Sequence, residues 1–346
     1  MTKKAEIPGV RAERTRAGFA IACLVLFAGL AVALCVGRYP VSPGDLLDAL
    51  TARFTGGAGG SPAAQTVILS VRGPRVLAGV LVGAALAVAG TAFQGLFRNP
   101  LVSPDILGAS SGAALGAVLG IYFSFNLFGI EILAFAGGLA AVVAVYLVGS
   151  AIRTRDPVLV LVLAGVVVGS LLGAGVGLVK YLADPYNQLP AMTFWLLGSL
   201  AAVTPDDLAP LFGPVAIGTV GLFALRHRMN AMSLGEEEAI ALGVPTRMLR
   251  IAIIAAATLV TSASVAVAGV IGWIGLVVPH LSRALVGPDF ARTVPAAGLV
   301  GGGLMLFIDT LARTAAPIEI PLGILTAAVG TPIFIWLLAD IERGWS

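Results

Sequence analysis

The sequence alternates long apolar runs with short polar connections over almost its whole length. Ten runs are placed by hydropathy, at about residues 17–37, 74–97, 105–123, 130–150, 157–181, 208–226, 248–269, 273–287, 294–312 and 321–339. Because about 20 consecutive apolar residues in a helix cross a bilayer, each run predicts a transmembrane helix. The runs are continuous rather than alternating, which argues against a β-barrel. The predicted fold class is an all-α polytopic membrane protein with about ten transmembrane helices.

Composition supports this class and excludes several others. Hydrophobic residues make up 58% of the chain and charged residues 11%, whereas a soluble domain carries about 25% charge. Cys23 and Cys35 lie about 18 Å apart along one predicted helix, too far for a disulfide between them. The sequence has no catalytic constellation and no cluster of metal ligands, so neither a catalytic nor a metal site is predicted. Nothing in it predicts nucleic-acid binding.

The distribution of basic residues predicts the orientation of the chain. With the N-terminus inside, 15 of the 21 lysines and arginines fall on the inner side and six on the outer side. We therefore expect a cytoplasmic N-terminal segment (1–16), one transmembrane domain (17–340) and a cytoplasmic C-terminal tail (341–346). A cleaved signal peptide is the alternative for the first run, but no small-x-small cleavage site follows it.

An internal repeat points to transport. "AVAGTAFQGLFRNP" (87–100) resembles "AVAGVIGWIGLVVP" (266–279) at a constant offset, and the two copies lie on spans predicted to run in opposite directions. Inverted repeats are a common plan of transporters. Chance similarity between two alanine- and glycine-rich helices is the alternative.

The segment "FRNPLVSPDILGASSGAALGA" (97–117) is long and polar for a connection between two spans. Its two prolines, at 100 and 104, break helices. Irregular backbone at membrane depth survives only inside protein or beside water, so the segment is a candidate gate, with a plain turn as the alternative. Three polar residues are expected to cap the next helix: Asp105, Ser110 and Ser111.

Glycines recur every four residues on the fifth span and form one stripe free of side chains. They are Gly165, Gly169, Gly173 and Gly177. Such a stripe permits close helix packing, or it lines a pathway for cargo.

Arg72, Arg75 and Arg313 are three of only six basic residues on the predicted outer side. Their guanidinium groups suit bidentate recognition of acidic groups on a partner. For Arg313 the alternative is a pair with Asp309, four residues earlier on the same helix.

The means of energising transport is constrained by two absences in the sequence. The nucleotide-binding pattern GxxxxGK[ST] is missing, so any ATP is hydrolysed on another chain. Few ionisable groups other than Asp309 lie in the spans, which disfavours an ion-coupled transporter with an intramembrane proton relay.

Four long segments together resemble the FecCD/BtuC-type permeases, the membrane subunits of ABC importers for ferric siderophores, haem and cobalamin. The segments are "RGPRVLAGVLVGAALAVAGTAFQGLFRNPLVSPDILGASSGAALGA", "SLGEEEAIALGVPTRMLR", "AVAGVIGWIGLVVPHLSRALVGPD" and "IEIPLGILTAAVGTPIFIWLL". They occur in the family's order and cover nearly the whole chain from about residue 40. The resemblance implies ten transmembrane helices and a BtuC-like fold.

The resemblance also implies partners. These are a second permease subunit, expected to be identical, two cytoplasmic ATPases that bind ATP and Mg, and a periplasmic or lipid-anchored binding protein. Residues 233–247, which we call the elbow, would couple the permease to the ATPase. Residues 236–242 would form a short helix, and Ala239, Ala241 and Leu242 would seat in the partner. The full implied contact is Gly235, Glu236, Glu237, Glu238, Ala239, Ala241, Leu242, Gly243, Val244 and Pro245.

The remaining implied sites lie at the two mouths. Arg72, Arg75 and Arg313 would receive acidic side chains of the binding protein. The inner gate would involve Asn99, Pro100 and Leu101, while a second gate segment would fall near Val158 and Leu159, which are apolar here although polar in some relatives.

We therefore expect a permease of the bacterial inner membrane that takes up a ferric siderophore or related iron chelate by ATP-driven alternating access. Haem, cobalamin and molybdate are the alternative cargoes. An ion-coupled secondary transporter is the alternative of a different class.

Overall fold

In the computed structural model, which describes residues 8–55, 61–152 and 157–343, all regular secondary structure is helical. The helices are α1 (Pro8–Cys35), α2 (Pro43–Thr55), α3 (Pro62–Thr66), α4 (Gly73–Leu96), α5 (Ala109–Tyr122), α6 (Leu127–Ala151), α7 (Pro157–Leu182), α8 (Gln188–Leu197), α9 (Pro205–Leu234), α10 (Glu236–Ala241), α11 (Thr246–Ala268), α12 (Ile274–Val286), α13 (Phe290–Thr314) and α14 (Leu322–Arg343). A π-helical turn (Val67–Arg72) joins α3 to α4, and a 3-10 turn (Pro104–Leu107) precedes α5.

The ten predicted spans correspond to ten apolar helices. Seven stretches are long enough to cross a bilayer: α1, the continuous segment Pro62–Leu96, α6, α7, α9, α11 and α13. The shorter apolar helices are α5, α12 and α14. The polytopic all-α fold predicted from the sequence is therefore confirmed.

Helix α4 is the centre of the bundle, and 78% of the most apolar window of its segment is buried. Its glycines let neighbouring backbones approach without an intervening side chain. A Cβ on Gly90 would overlap the carbonyl of Gly275 on α12, and a Cβ on Gly83 would overlap that of Gly301 on α13. These contacts place α12 and α13 directly against α4.

Helices α6, α7 and α9 form the periphery. Only 28%, 17% and 22% of their respective apolar windows are buried within this chain. Their remaining surface is apolar and requires lipid or another subunit to cover it.

Several local features differ from the sequence-based expectations. Gly108, with a φ of 78°, precedes α5, and no side chain caps the start of this helix. Ser110 instead donates a hydrogen bond to Asp105. The predicted capping of α5 by Asp105, Ser110 and Ser111 is therefore wrong. One short helix, α8, lies between α7 and α9 and was not among the ten predicted spans. The two copies of the repeat differ in local structure, since the first remains helical to Leu96 whereas the second leaves its helix after Ala268.

The predicted terminal segments are only partly described. Residues 1–7 and 344–346 lie outside the described residues, and α1 already begins at Pro8, inside the segment expected to precede the first span.

Candidate functional site

The elbow is a short helix between two glycines. Gly235 (φ 149°) precedes α10 and Gly243 (φ 77°) follows it, both in backbone conformations that side chains disfavour. The amide of Val244 donates to the carbonyl of Ala239 at 2.9 Å, which turns the chain back toward α11. This is the short helix and turn that the resemblance implied.

The three glutamates of the elbow have different environments. Glu236 accepts from the guanidinium of Arg250 at 2.8 Å and from the hydroxyl of Thr246 at 3.3 Å, so it joins α10 to α11. Glu237 and Glu238 are exposed. The first glutamate is therefore occupied within this chain, and only the other two are available to a partner.

The apolar surface of the elbow differs from the implied one at Ala239. That residue is completely buried, because α10 packs against α9, and it is not available to seat in a partner. Ala241 and Leu242 are exposed as expected. Sequence reasoning missed three large exposed apolar side chains beside them: Leu234, Ile240 and Met248. Apolar residues within a short polar connection were the available signal.

A polar contact fastens the end of α9 to the start of α13. Asn230 donates from its side-chain nitrogen to Asp289 at 2.7 Å and accepts from the amide of Phe290 at 2.9 Å. Asp289 also accepts from the amide of Ala291 and caps α13. Partial burial raises the pKa of Asp289, but these hydrogen bonds lower it by more, and the resulting pKa lies below the usual value.

The three residues of the implied inner gate are exposed, although most of the segment 97–117 is buried. Asn99, Pro100 and Leu101 are all accessible, and the amide of Leu101 donates to the side-chain oxygen of Asn99 at 2.9 Å. The gate role of these residues stays a prediction.

A buried glutamine connects the gate segment to α12, which sequence reasoning missed. Gln94 donates to the carbonyl of Leu276 at 3.1 Å and accepts from the guanidinium of Arg283. The amide of Asn99 in turn donates to the carbonyl of Gln94 at 3.1 Å. Gln94 therefore joins the end of α4 both to α12 and to the gate segment.

The glycine stripe of α7 divides into two halves. A Cβ on Gly165 would overlap the carbonyl of Ile106 in the 3-10 turn, and Gly169 lies near Ser111. Gly173 and Gly177 have no neighbouring atom within 4 Å. The half near the gate segment is a packing surface, and the other half remains open to a pathway or to a partner.

Asp309 is the centre of a charged network at the opposite end of α13 from the elbow. Its carboxylate pairs with Arg75 at 2.9 Å and with Arg313 at 3.1 Å. Arg75 also forms a fork with Glu319, with distances of 2.8 and 3.0 Å. Partial burial raises the pKa of Glu319, but Arg75 lowers it by more, to a value below the usual one.

All three predicted docking arginines are at least nine-tenths buried. Arg72 donates to the carbonyls of Leu34, Cys35 and Tyr39 and so ties the end of α1 to the π-helical turn. The Asp309–Arg313 helix pair considered as an alternative is present. Docking at these arginines stays a prediction, and it requires the present pairs to rearrange.

No group of three or more histidine, cysteine or carboxylate side chains suited to a metal ion occurs within residues 8–55, 61–152 and 157–343. Several ionisable residues of these ranges, such as Asp309 and Glu236, instead form the contacts between helices described above.

Sequence comparisons match nearly the whole chain to transport permeases. The model of the FecCD transport family matches residues 21–340. The chain is 39% identical to the molybdate import system permease MolB of Haemophilus influenzae, over 93% of this chain and 95% of that protein. It is 42% identical to the hemin transport system permease HmuU of Yersinia pestis, over 78% and 82% of the two chains.

A solved structure shares the fold. It is described as a metal-chelate type ABC transporter in an inward-facing conformation. Its TM-score is 0.84 at 37% identity, and the match covers 94% of this chain and 99% of the other.

Proposed function

Since the chain belongs to the FecCD transport family and is a permease of that family of ABC importers, we propose that it takes up a ferric chelate by ATP-driven alternating access. The observation that carries this cargo class is the similarity, over nearly the full length of both chains, to a transporter of the metal-chelate type. The similarity to a hemin permease supports an iron-containing cargo.

The expected assembly contains two copies of this permease, two cytoplasmic ATPases and a binding protein. The N- and C-termini face the cytoplasm of a bacterium, and the elbow therefore lies on the ATPase side of the inner membrane. ATP and Mg bind to the ATPases, and this chain supplies no catalytic residue and binds no cofactor of its own.

Motion begins at the elbow in this proposal. Four large apolar side chains in and beside the elbow are exposed, as are residues that a partner buries: Leu234, Ile240, Leu242 and Met248. Displacement of α10 is passed to α11 through the Glu236–Arg250 pair and to α13 through the contact of Asn230 with Asp289.

Helix α13 carries that displacement to the other mouth. It has 25 residues and is about 37 Å long. Its first turn holds the Asn230 contact, while its last turns hold Asp309 and Arg313. A change at the ATPase side therefore reaches the charged network through a single helix.

Docking of the binding protein occurs by exchange of carboxylates in this proposal. Glu319 occupies the fork of Arg75 and is the more exposed of its two acidic partners, with side-chain exposures of 33% and 1% for Glu319 and Asp309. An acidic side chain of the binding protein replaces Glu319 while Asp309 keeps Arg75 in position.

The test is uptake into proteoliposomes that contain the permease, the co-encoded ATPase and the binding protein. A ferric siderophore, haem, cobalamin and molybdate are supplied separately. We expect ATP-dependent accumulation of the ferric siderophore. Uptake without ATP or without the ATPase would support the ion-coupled alternative and contradict the importer mechanism.

Molybdate is the second candidate cargo. The molybdate permease of Haemophilus influenzae aligns over more of this chain than the hemin permease does, 93% against 78%. Accumulation of molybdate with no uptake of any ferric chelate would replace the proposed cargo but leave the importer mechanism intact.

A further inference from the structure

Helices α6, α9 and α11 enclose a long apolar groove on the periphery of the bundle. Its larger part has a volume of about 670 Å³, and its smaller part, about 260 Å³, lies toward the end opposite the elbow. The two parts follow each other within one turn on every helix, from Phe135 to Leu139, from Pro214 to Ile217 and from Ala263 to Leu259. We call the two parts together the peripheral groove.

Glu131 is the one charged residue among those that line the peripheral groove. It lies in the smaller part, and it is only 7% exposed. In the described part of the chain, no residue donates a hydrogen bond to it or forms an ion pair with it. A carboxylate that is removed from water without donors carries a large free-energy cost. The surroundings therefore favour a ligand that supplies both hydrogen-bond donors and positive charge.

Asp207 makes the surroundings of Glu131 still more favourable for a positively charged ligand. It begins α9 beside Glu131, with which it interacts electrostatically, and it adds a second negative charge. Asp207 itself accepts from the amide and the hydroxyl of Thr204, at 2.7 and 2.9 Å. It has donors of its own, whereas Glu131 has none.

The depth of Glu131 in the bilayer indicates that such a ligand is a lipid headgroup. Helix α6 has 25 residues and is about 37 Å long, which exceeds the roughly 30 Å of the hydrocarbon core. Glu131 is the fifth residue of α6 and Asp207 the third of α9, so both lie near the headgroup level of the bilayer. The apolar remainder of the groove extends from there along the hydrocarbon.

We propose that the peripheral groove binds a phospholipid with a primary-amine headgroup. Its ammonium donates to the carboxylate of Glu131, and one acyl chain occupies the apolar part. A primary ammonium supplies N–H donors and a positive charge, whereas a quaternary ammonium supplies the charge without donors. A glycerol headgroup supplies hydroxyl donors but no positive charge. The proposal depends on the membrane fold and not on the cargo.

Native mass spectrometry of the purified full-length permease tests this directly. Phosphatidylethanolamine, phosphatidylcholine and phosphatidylglycerol with identical acyl chains are the probes. We expect phosphatidylethanolamine to bind about tenfold more tightly than the other two, which is the size of one charge-assisted hydrogen bond. In Glu131→Gln this preference should disappear while weak binding of all three lipids remains.

Asp206→Asn is the matched control. Asp206 is exposed at the start of α9, next to Asp207, and its substitution removes one negative charge, as Glu131→Gln does. It should keep the preference. Equal binding of the three lipids by the wild type, or an unchanged preference in Glu131→Gln, would overturn the proposal.

A second variant tests the apolar part of the groove. A Cβ on Gly221 would lie 3.8 Å from that of Ala256, an ordinary contact, so the side chain in Gly221→Leu can extend into the groove without displacing a helix. Binding of all three lipids should fall. Unchanged binding in Gly221→Leu would overturn the proposal, as would disulfide cross-linking of Val143→Cys between two copies in the membrane, which would show that a second permease covers this face.

Discussion

Asp309 and Arg75 lie 234 positions apart in the sequence, yet their side chains form a buried ion pair with a 2.9 Å contact. The same carboxylate pairs with Arg313, so one acid holds two buried guanidiniums. Because a buried cation without a partner is costly, this acid is more important for stability than any single arginine around it.

We expect Asp309→Asn to lower the free energy of unfolding by about 3 kcal/mol or more, because it leaves Arg75 with only Glu319 and Arg313 with no carboxylate. Thermal unfolding of the detergent-solubilised permease measures the loss. Glu319→Gln is the control. Its carboxylate is partly exposed, so it should cost at most about 1 kcal/mol, and an equal loss in the two variants would contradict the central position of Asp309.

Glu319→Gln should strengthen docking of the binding protein, because it removes the carboxylate that competes for Arg75. The expected gain is up to about fivefold, the scale of a partly exposed ion pair. Surface plasmon resonance with the permease in nanodiscs measures it. Arg75→Gln should weaken docking in the same assay. Weaker docking in Glu319→Gln would instead mean that Glu319 contacts the binding protein or positions Arg75 for it.

The same pair predicts a pH dependence. The pKa of Glu319 is lowered in the folded protein, so its contribution to stability is fully present above the ordinary pKa of 4.5 and is lost as pH falls through the lower folded value. Docking should therefore be independent of this group between pH 5 and 8. An apparent pKa near 6 in wild-type docking that Glu319→Gln abolishes would contradict a lowered pKa.

The spans were predictable because hydropathy is a local property of the sequence, whereas the short helix of the elbow was implied by the family resemblance. Ten runs predicted ten apolar helices, and Gly235 and Gly243 bound α10 as expected. The Asp309–Arg313 pair within α13 was open to prediction from its spacing, but the charge pairs between different elements were not. Arg75 on α4 meets Glu319 across 244 positions because α4 packs against α13, and Glu319 lies in the connection that follows α13; a sequence pattern carries no such distance.

The sequence also could not predict which apolar residues of the elbow are buried and which are exposed. Ala239 and Ile240 are neighbours and both apolar, yet the first is buried against α9 and the second is exposed, because only the docking of α10 decides which side faces the bundle. Glu131 was missed for another reason. A lone carboxylate hardly changes the hydropathy of an apolar run, and its environment comes from α9 and α11.

Gly243→Val should uncouple the ATPase from transport. Gly243 has a φ of 77° with no neighbouring atom within 4 Å, so the substitution strains the backbone without causing a clash. A β-branched residue there costs on the order of 1–2 kcal/mol, which α10 relieves by shifting. We expect uptake in proteoliposomes to fall several-fold more than ATP hydrolysis does. Gly213→Ala, which also has open space but lies within α9, should leave both rates unchanged.

Ile240→Ser and Leu242→Ser should each weaken assembly with the ATPase. These side chains are 58% and 63% exposed in the isolated permease, and burying one against a partner contributes about 1.5–3 kcal/mol. The affinity for the ATPase, measured by biolayer interferometry, should fall about tenfold or more. Glu237→Gln tests the neighbouring exposed acid and should change affinity less. Unchanged affinity in both serine variants would exclude the elbow as the principal contact.

Asn230→Ala should impair the transmission of motion from α9 to α13. The substitution removes a donor to Asp289 and an acceptor for the amide of Phe290, which together cost about 1–3 kcal/mol. Because these contacts lie between the elbow and α13, we expect ATP hydrolysis to continue while cargo uptake per ATP falls. Asn126→Ala is the control. Asn126 lies at the end of the bundle opposite the elbow, where it caps the start of α6 by accepting one hydrogen bond from the amide of Gly129. That variant should lose stability without a change in uptake per ATP. If the two variants lower this ratio equally, the loss reflects general destabilisation, and the contact between Asn230 and Asp289 is not part of the transmission.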